Sequence, residues 1–394
     1  MEQVHILDAR RTPIGSFLGQ LSSLPAPKLG ASVIAGLLRD WEQRLNPSEI
    51  GGCIMGQVLT GGSGQAPARQ AAIYAGLPPS VACTTVNKVC GSGLKAVMMA
   101  ADAIRLKQVD LMLAGGQESM SQAPFLVEGA RSGYRMGHQK LIDSMLKDGL
   151  WDPYSDWHMG QAAELCVREF RLSREEQDRF AMESYKKAQK AQQQGWFEKE
   201  IIPVTYADKK GEALVKVDEE PSKVIWDKIP SLKPAFEKDG SITAANASKI
   251  NDGASVLLLA SATKARSMGQ KGLARIVSYA SYAQDPKWFT TAPVGAIKKA
   301  LELAQLTVDQ IDLWEINEAF AAVTLVTSKE LQIPLEKINV HGGAVALGHP
   351  IGASGARILT TLIHALVTHR KRYGLATLCI GGGEAVAMIV ESLL

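Results

Sequence analysis

Cysteine is scarce in this sequence, net charge is nearly absent, and long apolar runs are missing. Each shortage excludes a class of protein. The five cysteines, Cys53, Cys83, Cys90, Cys166 and Cys379, are an odd number without framework spacing. That pattern excludes a disulfide-stapled secreted module and points to reduced thiols and a cytoplasmic location. Net charge is only +3, with no basic block, so no nucleic-acid partner is expected. No apolar run approaches the roughly 20 residues that cross a bilayer, so no membrane span is expected. Met1-Glu2-Gln3-Val4-His5-Ile6-Leu7-Asp8 reads directly as a strand, with no signal or transit sequence before it. The loop Thr60-Gly61-Gly62-Ser63-Gly64-Gln65 has neither the Lys-Ser/Thr of a P-loop nor GxGxxG spacing, so it is not read as a nucleotide site. No metal site is expected.

What the chain does have is apolar patterning and glycine. A 394-residue sequence that is 46% hydrophobic with 36 glycines fits a soluble α/β protein of two or three domains. Strands are expected at Val4–Ala9, Ile54–Leu59, Asp110–Gly116, Ala254–Ala260, Ala274–Ala283, Asp312–Ile316 and Ala376–Glu384. The continuous apolar run Asp110–Gly116 reads as a strand covered on both faces of a parallel sheet. Helices are expected over Lys28–Arg44, Ala66–Tyr74 and Ile358–Tyr373, and from Cys90 onward. Between residues 121 and 250 the composition shifts. That third of the chain holds about half of the charged residues and most of the tryptophans. Its clearest element begins at the capping box Ser173-Arg174-Glu175-Glu176 and closes at Gly195. The segment reads as an inserted, more solvated domain. Its cations fit either an anionic ligand or simply a wet surface.

Two parts of the chain echo each other. Cys90-Gly91-Ser92-Gly93-Leu94-Lys95 precedes a helix, an apolar strand and Gly115-Gly116-Gln117-Glu118. His349-Pro350-Ile351-Gly352-Ala353-Ser354-Gly355-Ala356-Arg357 precedes a helix, an apolar strand and Gly381-Gly382-Gly383-Glu384. Two similar α/β halves packed together would bring their loops to one cleft. Four stretches could supply chemistry there. Cys90 lies at a helix start, where free N–H groups and the helix dipole favour a thiolate; free cysteine is otherwise a small buried hydrophobe. His349, beside Pro350, is either a positioned base or a structural histidine. Cys379 ends a buried strand, which suits an inert thiol or a ligand-facing one. Asn317 either caps the helix that follows or holds a water or oxyanion.

These stretches resemble the thiolase family. The signatures are Asn87-Lys88-Val89-Cys90-Gly91-Ser92-Gly93, Asn317-Glu318-Ala319-Phe320-Ala321, Gly342–Arg357 and Cys379-Ile380-Gly381-Gly382-Gly383, in family order. Ala9–Gly15, Gly116–Ser121 and Asn246–Ala254 extend the likeness to nearly the whole chain. The resemblance implies a thiolase fold: two five-stranded α-β-α-β-α layered halves with an inserted loop domain. The expected units are 1–120 with 250–272, 121–249, and 273–394.

It also implies ping-pong acyl transfer among acetyl-CoA, acetoacetyl-CoA and CoA, in a homodimer or homotetramer. Coenzyme A is substrate and product, and no bound cofactor is expected. His349 would deprotonate Cys90, and Cys90 would carry the acyl group. Cys379 would exchange the α-proton. One oxyanion hole would be a water on Asn317 with His349 Nε2; the other, the N–H groups of Cys90 and Gly381. Ser248 matches the family residue that meets pantetheine. Leu150, His158, Met159, Ala244, Ala319 and Phe320 match others near pantetheine and thioester. His158-Met159-Gly160 resembles short-chain, biosynthetic members.

The departures are Lys249, where a small residue is usual, Trp288–Pro293, and Ser222-Lys223, where many relatives carry Arg. Phe289 is expected to narrow the acyl pocket in favour of acetoacetyl-CoA over longer 3-ketoacyl-CoA. His341 stands where Asn is commoner. A Cys-His acyl-CoA hydrolase would leave Cys379 without a task, and a non-catalytic acyl-CoA binder has no need of two thiols in one cleft. Decarboxylating ketoacyl synthases use one Cys with two His, unlike this set.

Overall fold

The apolar runs assemble side by side into one mixed sheet. In the computed structural model, which describes residues 2–208 and 211–394, its long strands are β1 (Val4–Arg11), β2 (Gly52–Gly56), β3 (Ala82–Val86), β4 (Leu111–Ser119), β5 (Asn251–Ser261), β6 (Ala274–Ala283), β7 (Leu313–Ile316), β8 (Tyr373–Ile380) and β9 (Glu384–Ser392). Their order is β7-β8-β9-β6-β1-β5-β4-β2-β3, and Gly15–Ser16 adds a short strand against β5. β2 runs parallel to β3 and β4, and β7 parallel to β8; the other pairings are antiparallel. The run at 110–116 therefore does not lie in a purely parallel sheet. β4 has a parallel neighbour on one side and antiparallel β5 on the other, and it is buried along its whole length.

The two halves meet at a short seam. β1 pairs with β6 only through His5 opposite Arg275 and Ile6 opposite Ala274. On the C-terminal side the described residues supply four long strands, with Ile338 bridging Trp314 in parallel at the outer position. The longer helices are α1 (Ala26–Asp40), α2 (Pro67–Tyr74), α3 (Ser92–Arg105), α4 (Met159–Glu169), α5 (Arg174–Gln193), α6 (Ala292–Ala304), α7 (Ala321–Leu331) and α8 (Ile351–Thr368). α3 and α8 form the middle layer. Their Leu94, Val97 and Leu359 share one buried cluster with Leu257 of β5 and Leu378 and Met388 of β8 and β9. α1 and α2 cover the outside of the first half, and α6 covers the outside of the second. This is the expected α-β-α-β-α layering.

α8 begins seven residues before the expected Ile358, and it stops at Thr368, because Tyr373 opens β8. Gly352 and Gly355 obscured its first turns, since glycine disfavours helix interiors. The reason for Gly355 is packing: a Cβ there would lie 2.4 Å from Leu94 N, at the crossing of α3 and α8. α8 is long and apolar enough to cross a membrane by length and composition, but 89% of it is buried inside the protein. It is a core helix, covered nearly all round, and its buried Arg357, Thr361 and His364 find partners in Glu315, Glu200 and Ala9 O.

The segment 121–249 carries an exposed stretch at Val127–Leu141 but is otherwise bound to the main body. Ser173 and Glu176 form the expected reciprocal cap on α5, at 3.1 and 2.8 Å. Buried Arg11 of β1 donates to Glu200 at 2.5 Å and to both oxygens of Asp218 at 2.7 and 2.9 Å. α4 packs on α7, and α5 packs on Val345–Leu347.

Candidate active site

Cys90 is held by a strained turn. The chain leaves β3 at Val86 and enters α3 with Gly91 as N-cap, so Cys90 stands one residue before the cap. Val89 has φ +44°, a left-handed conformation that is costly for a β-branched residue. Three hydrogen bonds impose it. Val89 N–H donates to Asn87 Oδ1 at 2.9 Å, Lys88 N–H donates to Ser92 Oγ at 2.8 Å, and Ser92 Oγ donates to Val89 O at 2.7 Å. Lys88 also pairs with Glu384, which follows the glycine turn after β8.

His349 reaches this turn from the other half. Its Nε2 lies 3.3 Å from Cys90 Sγ. Its Nδ1 lies 2.6 Å from Ser354 Oγ, whose single proton goes to Pro350 O at 2.9 Å. Ser354 therefore accepts from Nδ1–H, and the free lone pair of Nε2 faces the thiol. His349 N–H donates to Asn251 Oδ1 at 3.0 Å, which fixes the backbone. Gly348 is at φ +110° with Asn251 against it, and a Cβ there would lie 2.4 Å from that side chain.

The expected low thiol pKa is not what the surroundings produce. Burial pushes Cys90 up to about 12, while the N–H groups of Cys90 and Gly381 pull it down. Burial, with help from Arg357, pushes His349 down to about 3. Desolvation outweighs the helix terminus here, so the proton rests on sulfur in the free protein. The two N–H groups that face Sγ would also face an oxygen growing on a carbon bonded to it.

Cys379 ends β8 and is buried with Phe289, Ala319 and Phe320. Burial and then the nearby Cys90 push its thiol well above the ordinary range. It is thus a protonated thiol beside the first one. Asn317 follows β7, its N–H donating to Thr377 O at 3.0 Å. It does not cap α7, whose N-cap is Phe320. Its side-chain Oδ1 and Nδ2 are both buried without a partner among the described residues, which leaves a buried amide free to bind a ligand or water.

The remaining expected residues fall on two sides of this centre. Leu150 packs with Val58, Leu59, Met145 and Ile351 against Cys90. His158 caps α4, its Nδ1 accepting from Gly160 N–H at 2.9 Å; burial lowers its pKa. Phe236 stacks on it at 4.7 Å. Met159 faces Gly381, where an added Cβ would lie 3.7 Å from its sulfur. Phe320 meets Phe236 and Phe289 edge-on at 6.0 and 6.3 Å. Ser248 N–H donates to Ala319 O at 3.0 Å, which ties the Ala244–Ser248 segment to the Asn317 stretch. Ala244 is exposed. Lys223 is turned to Ser16 at 2.5 Å, and Ser222 Oγ donates to Glu219 O.

Four supporting residues escaped the sequence reading. Ser354 sets the His349 tautomer from five residues downstream, a spacing that marks no standard helix face. Buried Glu118 accepts from Val58, Leu59 and Gly352 N–H groups at 2.9, 3.2 and 2.9 Å, and burial holds it up near 7. Glu318 accepts from Ser184, Asn339 and Val345 at 2.7, 2.7 and 3.0 Å. Both carboxylates lie inside stretches the sequence singled out, and their charge in apolar runs was the available signal. Phe236 carried none. No cluster of three or more metal-ligating side chains occurs among the described residues.

Residues 4–263 match the family model described as "Thiolase, N-terminal domain", and residues 270–392 match "Thiolase, C-terminal domain". An acetyl-CoA acetyltransferase of Pseudomonas aeruginosa is 52% identical over 390 residues, which is 98% of this chain and 99% of that protein. One of Cupriavidus necator is 50% identical over 393 residues, 99% of this chain and all of that protein, 100%. The crystal structure of the Bacillus anthracis acetyl-CoA acetyltransferase superposes with TM-score 0.97 at 40% identity, covering 100% of this chain and 99% of that one. That of an Ascaris suum thiolase in complex with coenzyme A superposes with TM-score 0.93 at 44% identity, covering 99% and 100%.

Proposed function

This chain belongs to the thiolase family, and on that premise we propose how its residues share the reaction. It is an acyltransferase that joins two acetyl-CoA to acetoacetyl-CoA and CoA, or cleaves the product in reverse, as its relatives' names state of them. The observation that carries the division of labour is the 3.3 Å approach of His349 Nε2, with its Nδ1 side tied to Ser354, to Cys90 Sγ.

In cleavage, Sγ of Cys90 attacks the 3-keto carbon while its proton passes to His349 Nε2. The N–H groups of Cys90 and Gly381 receive one developing oxyanion. Breaking the carbon–carbon bond leaves the enolate of acetyl-CoA, which Cys379 protonates. A water on Asn317, with His349, serves the enolate oxygen; the unpartnered Asn317 amide supports that role. The acyl group on Cys90 then moves to the sulfur of a second CoA, whose thiol proton goes to Cys379 while His349 returns its proton to Cys90. In synthesis Cys379 removes the α-proton instead. A nucleophile needs a base beside it, and an enolate needs a separate acid, which is why two thiols share the cleft.

Leu150, His158, Met159, Ala244, Ser248, Ala319 and Phe320 are assigned to the pantetheine and thioester. Phe289, buried beside Cys379 and Phe320, closes the acyl side and favours four-carbon substrate. The units are taken as 1–120 with 250–272, 121–249 and 273–394; the short seam between β1 and β6 supports the division of the first from the last. A homodimer or homotetramer fits β3, an edge strand of the sheet, whose Ala82 and Thr84 are exposed and whose free edge a second copy can cover; the five free cysteines fit a cytoplasmic location.

Steady-state cleavage with CoA across acyl lengths tests the reading, together with Cys379→Ala. Acetoacetyl-CoA should be cleaved with ping-pong kinetics and far higher kcat/KM than long-chain substrates. Cys379→Ala should lose about 100-fold or more in turnover, within the range set by removing a general acid. Full turnover of that variant points instead to a simple Cys-His hydrolase. Equal efficiency on four-carbon and long-chain substrates overturns the assignment of Phe289.

A further inference from the structure

Lys249 follows Ser248, and its side chain turns inward. Its Nζ donates to three backbone carbonyls: Ala244 O at 2.6 Å, Ala247 O at 3.1 Å and Val345 O at 3.4 Å. The first two belong to the segment that ends in Ser248. The third belongs to the short turn Ala344–Leu347 that leads directly into Gly348 and His349. Val345 is gripped from both sides, because its N–H donates to Glu318 at 3.0 Å, next to Asn317. An ammonium with three donors satisfies three carbonyls that no other side chain engages among the described residues, and a small residue supplies none of these bonds.

We propose that Lys249 is a positioning residue that clamps the Ala244–Ser248 segment onto the His349 turn, so that coenzyme A binding and the placement of the base are set by one ammonium group. This rests on the assignment of Ala244–Ser248 to pantetheine. The clamp depends on charge. Burial brings Lys249 down to about 8, opposed by the carboxylates of Glu220 and Glu318. The Tyr185 ring lies 5.7 Å from Nζ on the α5 side, and burial pushes the Tyr185 hydroxyl upward, out of that range. Above pH 8 the ammonium loses its charge, and the clamp weakens.

The test has two parts. Acetyl-CoA binding to the full chain carrying Cys90→Ala, which cannot accept an acyl group, is followed by calorimetry from pH 7 to 9.5. Affinity should fall about threefold or more across that range, and the fall should vanish when Lys249→Met is added. The neighbouring Glu220, Glu318 and Tyr185 remain in the second protein, so they cannot account for the difference. In the Cys90-intact chain, Lys249→Ala should raise KM for acetyl-CoA about tenfold and lower kcat, and methylammonium should restore both while tetramethylammonium, which has no N–H donor, should not. Equal acetyl-CoA affinity at pH 7 in the Cys90→Ala chain with and without Lys249→Met overturns the clamp. So does a Lys249→Ala enzyme within twofold of the parent. If the parent itself fails to turn over acetyl-CoA, the assigned reaction is at fault and not the clamp.

Discussion

At the scale of single residues, the site is a pair of groups that share one proton, and burial holds it more firmly on sulfur. Cys90 is pushed up to about 12 and His349 down to about 3. Neither burial nor the helix terminus could be weighed from the sequence, where the position just before a helix suggested a thiolate. Burial wins because the second half closes over the turn. The sign of the pH effect follows. In the substrate-free protein the reactive thiolate fraction should keep growing as pH rises toward 12. Alkylation of Cys90 by iodoacetamide should therefore accelerate continuously from pH 6 to 9. A plateau near neutrality would mean a preformed thiolate–imidazolium pair. Residue types were legible: Cys90, His349, Cys379 and Asn317 stood out in the sequence. Ser354 and Phe236 did not, because one acts through a tautomer and the other through a stacking contact across the inserted segment.

At the scale of elements, the two groups proposed to react ride on helix starts that cross closely. Cys90 precedes α3 and His349 precedes α8, and the crossing brings Gly355 against Leu94 N. Backbone on backbone cannot yield by rotating a side chain. Gly355→Ala should force the helices apart, at the about 1–3 kcal/mol typical of overpacking, with kcat falling at least tenfold as Cys90 and His349 separate. Thermal unfolding and steady-state turnover check this together. Unchanged Tm and kcat would show that the crossing is not a constraint. The strands were legible from their apolar runs, and Ala274–Ala283 appears with the bounds that its pattern implied. The start of α8 was hidden, because the glycines that permit the crossing weaken the local helix signal.

At the scale of the whole molecule, burial of ionisable groups sets how stability responds to pH. His341 is fully buried, with Nε2 3.0 Å from His369 Nε2 and its ring against Trp196, and burial holds it down near 3. The unfolded chain takes up a proton there below about 6.5, whereas the folded protein does not. This group therefore removes stability as pH falls from about 6.5 toward 3. Glu118 and Glu315, raised to about 7 and about 8 by burial, act in the opposite sense over pH 8 to 4.5. His341→Asn isolates the one contribution. Between pH 7 and 5 it should lose on the order of 2 kcal/mol less stability than the parent, read by denaturant unfolding at both values. Identical losses would place the pH response elsewhere. The layering of two halves was legible from the repeat, whereas the β1–β6 seam, which joins them into one sheet, left no mark in a pattern read strand by strand.

The two halves matter because each brings one partner of the proposed reaction, in which the acyl group on Cys90 is the common intermediate. Intact-mass measurement after mixing with acetyl-CoA tests this most directly. One acetyl group should appear on the parent chain, be absent from Cys90→Ser, and leave when free CoA is added, with acetyl-CoA re-formed. No adduct on the parent, or an equal adduct on Cys90→Ser, would contradict it.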